Sequence, residues 1–250
     1  MKIFSDLSYS ENGRLDLFLP EGEGFATVIW FHGGGMTAGS KADGRALAED
    51  FAAAGYAFAS VDYRLYSQGA RFPDFLCDAA AAVSFIRRGI ASFGGDEERL
   101  YVSGASAGGW ISLMLCLDGG YLRSAGVDPL SIRGWIIDSA QTTSHFNVQK
   151  HEAGEDPRAQ RIDRFAPLLY VGEQTAFSKM LLIFYENDMP CRYEQNMLFY
   201  KAVLFFHPDA DIAFEVLPGG HCSGSSARGA DGEFPFVRAA LRLLGKDGRP

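Results

Sequence analysis

The chain has 250 residues, 47% of them hydrophobic, and a formal net charge of −8 at pH 7, enough apolar material for one well-buried core. The acidic balance excludes nucleic acid and anionic membrane surfaces as partners, because a negative protein meets neither favourably. No apolar run approaches the roughly 20 residues of a bilayer span, and the opening MKIFSDLSYSENGRLDLFLP lacks the apolar stretch of a signal peptide, so a cytoplasmic protein is expected.

In chain order, the alternating RLDLFLP (14–20) predicts an antiparallel edge hairpin with the first residues. ATVIWFH (26–32) is apolar almost throughout, as a strand buried on both faces must be. The same reading gives strands at 56–62, 100–104, 134–138, 180–185 and 212–217. Helical patterns fall between them at 42–54, 73–93, 107–117, 191–206 and 229–244. Pro73 opens the second of these, while Gly55 and Gly94 follow the ends of the first two, the usual asymmetry of helix punctuation. Alternating strands and helices predict an α/β fold with a mostly parallel, doubly wound sheet. Residues 139–178 are polar and charged and break the pattern. They are expected to form a short lid-like insertion over the strand ends, within a single domain covering 1–250.

The segment RLYVSGASAGGW (99–110) carries the strongest chemical signal. A phosphate loop needs Lys and Ser/Thr where Trp110 and Ile111 stand, and a dinucleotide fingerprint needs glycine where Ser106 stands. No nucleotide cofactor is therefore expected. The pattern that fits is G-x-S-x-G from Gly104 to Gly108, a strained turn that exposes a nucleophilic serine between strand and helix. A packing serine in a glycine-rich turn is the bland alternative. The glycines of HGGG (32–35) can aim backbone N–H groups at a developing oxyanion, with a further donor from the first turn of the helix after Ser106. Gly34, Gly35 and Ala107 are the expected donors.

A base and an acid should follow the serine. Of the five histidines, His221 sits in a glycine loop just after a strand, where a base is presented; His32 belongs to the oxyanion loop, and His145 and His151 lie in the insertion. Asp188, in the turn before Pro190, is the favoured acid, with Asp138 second and Glu186 third. The four cysteines (Cys77, Cys116, Cys191, Cys222) show no C-x-x-C spacing, so no metal site is expected and free thiols are favoured. Cys191 and Cys222 lie next to proposed triad members, so their loops should be neighbours, with two thiols favoured over a disulfide.

With HGGG at 32–35, DYRL at 62–65, GASAGG at 104–109, END at 186–188 and GGHC at 219–222, the chain resembles the α/β-hydrolases over roughly residues 14 to 245. It resembles the hormone-sensitive-lipase-like carboxylesterases and, more closely, compact bacterial bifunctional feruloyl and acetyl xylan esterase-like proteins. Ala105 and Tyr185 depart from those patterns, where an acidic residue and a glycine are frequent. The resemblance implies a serine esterase for short acyl esters, with acetyl or aromatic-acyl esters of carbohydrates as the small-molecule substrate class. An amide hydrolase of the same fold is the alternative, and a non-catalytic binding protein a second. His32, Tyr63, His145 and Phe146 are the candidate substrate contacts. Thr142 and Thr143 stand beside them, and Phe165 and Leu168 are further pocket candidates. Asp62 and Arg64 are expected to pair as a structural ion pair. Homo-oligomerisation is left open.

Overall fold

Strands β1 (Lys2–Ser8) and β2 (Arg14–Leu19) form the expected antiparallel hairpin, with Lys2 opposite Leu19. The structure, a computed structural model, describes residues 1–172 and 175–245; residues 173 and 174 of the expected insertion, and 246–250, lie outside the described residues. Strand β3 (Phe25–Phe31) is buried along its whole length, which explains its lack of alternation. The remaining strands are β4 (Ala57–Val61), β5 (Gly95–Ala105), β6 (Gly134–Asp138), β7 (Lys179–Asn187) and β8 (Ile212–Gly220). They make one eight-stranded sheet in the order β1-β2-β4-β3-β5-β6-β7-β8. β2 pairs antiparallel with β4, and every pair from β4 to β8 is parallel.

Helices cover both faces because successive strand residues point to opposite sides. On one face Ile29 and Phe31 of β3 pack with α2 (Asp74–Gly89), α3 (Ala107–Leu117), the short α4 (Gly120–Ser124) and α6 (Arg192–Phe206). On the other, Val28 and Trp30 pack with α1 (Arg45–Ala53) and α8 (Pro235–Leu244). Two short helices complete the set, α5 (Phe146–Val148) and α7 (Ser223–Ser226). Helix α3 is apolar and buried on all sides, as a helix inside a layered core must be. That rigid core fixes the turn in front of it.

Several boundaries differ from expectation. β5 begins at Gly95 rather than 100, because the charged GDEER stretch still pairs with β3 through Gly95 and Phe25. β8 runs through Pro218, which an edge strand tolerates since one side needs no N–H. α8 starts at Pro235, its first-turn proline, rather than at 229. Asp62 and Arg64 do not pair with each other. Arg64 grips Asp78 through Nε and Nη2, both at 2.8 Å, while Asp62 accepts the Lys41 N–H at 2.6 Å. Both residues lie beyond the end of β4, and each finds its partner on another element, Asp62 on the turn that begins at Lys41 and Arg64 on α2.

The 139–178 segment holds α5, a π-helical turn (Gln149–Ala153) and a 3-10 turn (Pro167–Tyr170). Its polar beginning is buried: Gln141, Thr142, Thr143, Ser144, His145 and Gln149 are each at most 5% exposed. Hydrogen bonding makes this tolerable. The Gln195 side chain accepts the Thr142 N–H at 2.8 Å, and Thr142 Oγ1 donates to the Gln195 carbonyl at 2.8 Å. The charged stretch beyond remains mostly exposed, with Arg158 paired to Asp156 and Arg161 to Glu155.

Candidate active site

The turn after β5 is forced into an unusual shape. Ser106 has φ 54° and ψ −110°, and α3 begins immediately behind it. Such a backbone is strained for any residue with a side chain, and the surroundings hold it. The Ser106 N–H donates to the Asp138 carbonyl at 2.7 Å. Behind it, a Cβ on Gly108 would stand 2.0 Å from the Phe31 carbonyl oxygen, so only glycine lets α3 approach β3 this closely.

Ser106 Oγ lies 2.8 Å from His221 Nε2, and His221 Nδ1 lies 2.5 Å from Asp188 Oδ1. The carboxylate holds the proton on Nδ1 and leaves the Nε2 lone pair facing the hydroxyl. Asp188 Oδ2 also accepts from Ser139 Oγ at 2.7 Å, and Oδ1 from the Met189 N–H at 2.7 Å. Burial pushes the Asp188 carboxyl up, but the hydrogen bonds from His221, Ser139 and Met189 outweigh it and hold the group below its usual range. Of the three candidate acids, the structure brings Asp188 to the imidazole. Glu186 is exposed, and Asp138 is fully buried on other partners.

The HGGG loop closes over the serine. A Cβ on Gly33 would lie 3.4 Å from Ser106 Cβ. Gly34 has φ +99°, and a Cβ there would collide with the Ala38 carbonyl oxygen at 2.2 Å. Among the described residues, no acceptor takes the backbone N–H of Gly34, Gly35 or Ala107. The loop is held from below by Tyr63, whose hydroxyl donates to the His32 carbonyl at 2.8 Å and whose ring stacks on His32 at 4.3 Å. Asn147 Nδ2 donates to the Gly35 carbonyl at 2.7 Å, so the insertion touches the loop directly.

The candidate substrate contacts divide. His32 and Tyr63 are buried at 1% and 3% exposure, and support the loop rather than face solvent. His145 is buried as well, stacked on Phe146 at 4.4 Å with its Nδ1 accepting the Asn147 N–H. Burial, with Arg192 and His221 nearby, lowers its pKa well below the usual value and keeps it neutral. Thr142 and Thr143 belong to the Gln195 network, and Phe165 is buried with its carbonyl accepting the Trp110 indole N–H at 2.9 Å. Phe146 is half-buried beside Gly35, and Leu168 is half-buried too.

The BD-FAE family profile matches residues 15–151, more than half of the chain. The chain belongs to the BD-FAE family. The matched stretch of this BD-FAE protein holds the glycine loop, the serine turn, Asp138 and Asn147; Asp188 and His221 lie beyond it. A probable isoprenylcysteine alpha-carbonyl methylesterase of Oryza sativa subsp. japonica is 35% identical over 137 residues, 54% of this chain and 31% of that protein. Esterase LipC of Mycobacterium tuberculosis is 35% identical over 88 residues, 35% of this chain and 22% of its own length. The chain thus spans about a third or less of the length of these curated relatives. The apo form of Thermogutta terrifontis esterase 2 superposes with TM-score 0.79 at 19% identity, covering 100% of this chain and 96% of that one. The fold is that of the α/β-hydrolases.

Around the site, this BD-FAE protein holds residues that motif reading passed over. Ser139 (φ 51°) orients Asp188, and the buried Arg192 donates to the Ser139 carbonyl. Both lie outside any short motif. The one usable signal was position, since each flanks a proposed acid or its loop. Cys191 and Cys222 are free thiols, at the starts of α6 and α7. Among the described residues, no His/Cys/Asp/Glu group suited to a metal ion occurs, and no helix is long and apolar enough to cross a membrane.

Proposed function

We propose that the protein is a carboxylic ester hydrolase acting through a Ser106–His221–Asp188 triad and an acyl-enzyme. The observation that carries this reading is the continuous hydrogen-bonded line from Ser106 Oγ through His221 to Asp188, beneath a glycine loop. His221 Nε2 takes the Ser106 proton as Oγ attacks the ester carbonyl. The N–H groups of Gly34, Gly35 and Ala107 hold the oxyanion, and Asp188 stabilises the imidazolium. The tetrahedral adduct collapses as His221 returns the proton to the leaving alkoxide. Water, deprotonated by His221, then releases the acid.

The substrate class we assign is short-chain acyl esters, including acetyl and aromatic-acyl esters of carbohydrates. A long chain needs an apolar wall, since each buried CH₂ contributes only about 0.8 kcal/mol. The insertion presents instead an exposed charged stretch that includes Lys150, Asp156, Arg158 and Arg161. Its aromatic residues pack against the body of the fold, Phe165 on Phe72 at 4.9 Å and His145 on Trp110 at 5.6 Å. In a panel of p-nitrophenyl esters, kcat/KM is expected to peak between acetyl and butyryl and to fall steeply by octanoyl. Decanoyl or longer esters as the best substrates would sink the assignment. Acetylated and feruloylated sugars in the same panel test the carbohydrate part.

A further inference from the structure

Two consecutive residues touch every loop that carries a member of the Ser106–His221–Asp188 line. The backbone of Asp138 receives the Ser106 N–H at 2.7 Å. Its carboxylate, fully buried at the end of β6, receives the Tyr185 hydroxyl at 2.9 Å on Oδ1 and the Ser225 hydroxyl at 2.5 Å on Oδ2. Tyr185 Oη in turn accepts the Gly224 N–H at 3.1 Å, and Ser225 Oγ also lies 3.1 Å from the Cys222 carbonyl. The carboxylate therefore grips the turn that starts one residue after His221. Its neighbour Ser139 donates to Asp188 Oδ2 and accepts the Cys222 N–H at 3.3 Å.

We propose that Asp138 is a positioning residue for the reaction assigned above: its ionised carboxylate clamps the turn behind His221 through Tyr185 and Ser225, and sets the imidazole against Ser106. The inference rests on that reading of the triad. The clamp is strongest with an ionised carboxylate. Tyr185 Oη uses its acceptor capacity on Gly224 and so must donate to Asp138, while Ser225 donates to the other oxygen. A charged carboxyl accepts both; on protonation Oδ2 becomes the donor and Ser225 must turn its single proton to the Cys222 carbonyl 3.1 Å away, so charge-assisted hydrogen bonds give way to weaker neutral ones.

The groups facing Asp138 are Tyr185 on β7, Ser225 on α7, His221 and Cys222 in the loop before α7, and Asp188 after β7, with Arg192 of α6 beyond Ser139. Burial raises Asp138 to about 6, against the opposing pull of Ser225, Tyr185 and His221. Protonation on mild acidification thus loosens the clamp. Since kcat/KM reports the ionisations of the free enzyme, loosening of the clamp should contribute an ionisation of its own to the acid limb of log kcat/KM against pH.

The test is Asp138→Asn, assayed on a short p-nitrophenyl ester from pH 4.5 to 8.5, with fluorophosphonate labelling of Ser106 in parallel. We expect kcat to fall by up to about 10²-fold, the scale of a slightly misplaced reacting group, with KM little changed. The acid limb should lose that ionisation and become shallower. A purely structural defect would scale the rate at every pH and leave the slope alone. Wild-type kcat and an unchanged slope in the variant would overturn the proposal. Should Asp138→Asn not fold, Tyr185→Phe removes one donor and keeps the carboxylate: its acid limb is expected to move to higher pH, and an unmoved limb overturns the proposal equally. Failure of wild-type protein to label at Ser106 would instead refute the esterase reading, so the two failures are distinguishable.

Discussion

Ser106→Ala and His221→Ala are each expected to lower turnover by about 10⁴-fold or more in protein that remains folded, because members of a hydrogen-bonded triad act as a unit. In the proposed mechanism Ser106 Oγ supplies the attacking oxygen, and among the described residues His221 Nε2, 2.8 Å away, is the ring nitrogen that faces it. Neither side chain holds the turn in place. Its shape comes from the Ser106 N–H on the Asp138 carbonyl and from the fit of Gly108 against β3. The variants should therefore keep the wild-type thermal midpoint and circular dichroism. More than a tenth of wild-type activity in a folded, uncontaminated Ser106→Ala preparation would refute the nucleophile.

Asp188→Asn should cost about 10⁴ in kcat, far more than Asp138→Asn. The asparagine amide would present a donor to His221 Nδ1, where the carboxylate now accepts at 2.5 Å. The imidazole would then carry its proton on Nε2, pointing at Ser106 with nothing left to receive the hydroxyl proton. Asp138 makes no hydrogen bond to the ring; its carboxylate oxygens are taken by Tyr185 and Ser225. Comparing the two variants under one assay decides between them, and the reverse ranking would move the acid to Asp138.

The sheet and the serine turn were legible because they rest on local rules. Fully apolar runs such as 26–32 leave a strand no solvent face, and G-x-S-x-G between strand and helix has few other uses. The place of His221 beside Ser106 was legible by its glycine loop. The acid was a choice among three, because side-chain direction after a strand end depends on where the chain turns, and Asp138 and Asp188 flank the same space. Asp62 and Arg64 illustrate the same difficulty: proximity in sequence suggested a pair, while α2 carried Asp78 to the arginine. The insertion misled by composition. Its polar start is buried because Gln195, distant in sequence, satisfies its hydrogen bonds. Tyr185, which departs from the family pattern, is a partner of Asp138.

The buried carboxylate of Asp138 also carries a thermodynamic cost. Its folded pKa, about 6, lies above the ordinary 3.8 because burial disfavours the charged form. Below the lower value the group is neutral in both states and costs nothing. As pH rises through the upper one, folding must confine a charge that the unfolded chain keeps in water, a penalty on the order of 3 kcal/mol. The protein is thus less stable at the pH where the carboxylate is ionised than an uncharged side chain there would allow. Asparagine does not titrate, so the thermal midpoint of Asp138→Asn relative to wild type should climb between pH 4 and pH 8. A constant difference across that range would mean that Asp138 ionises in the fold as readily as in the open chain.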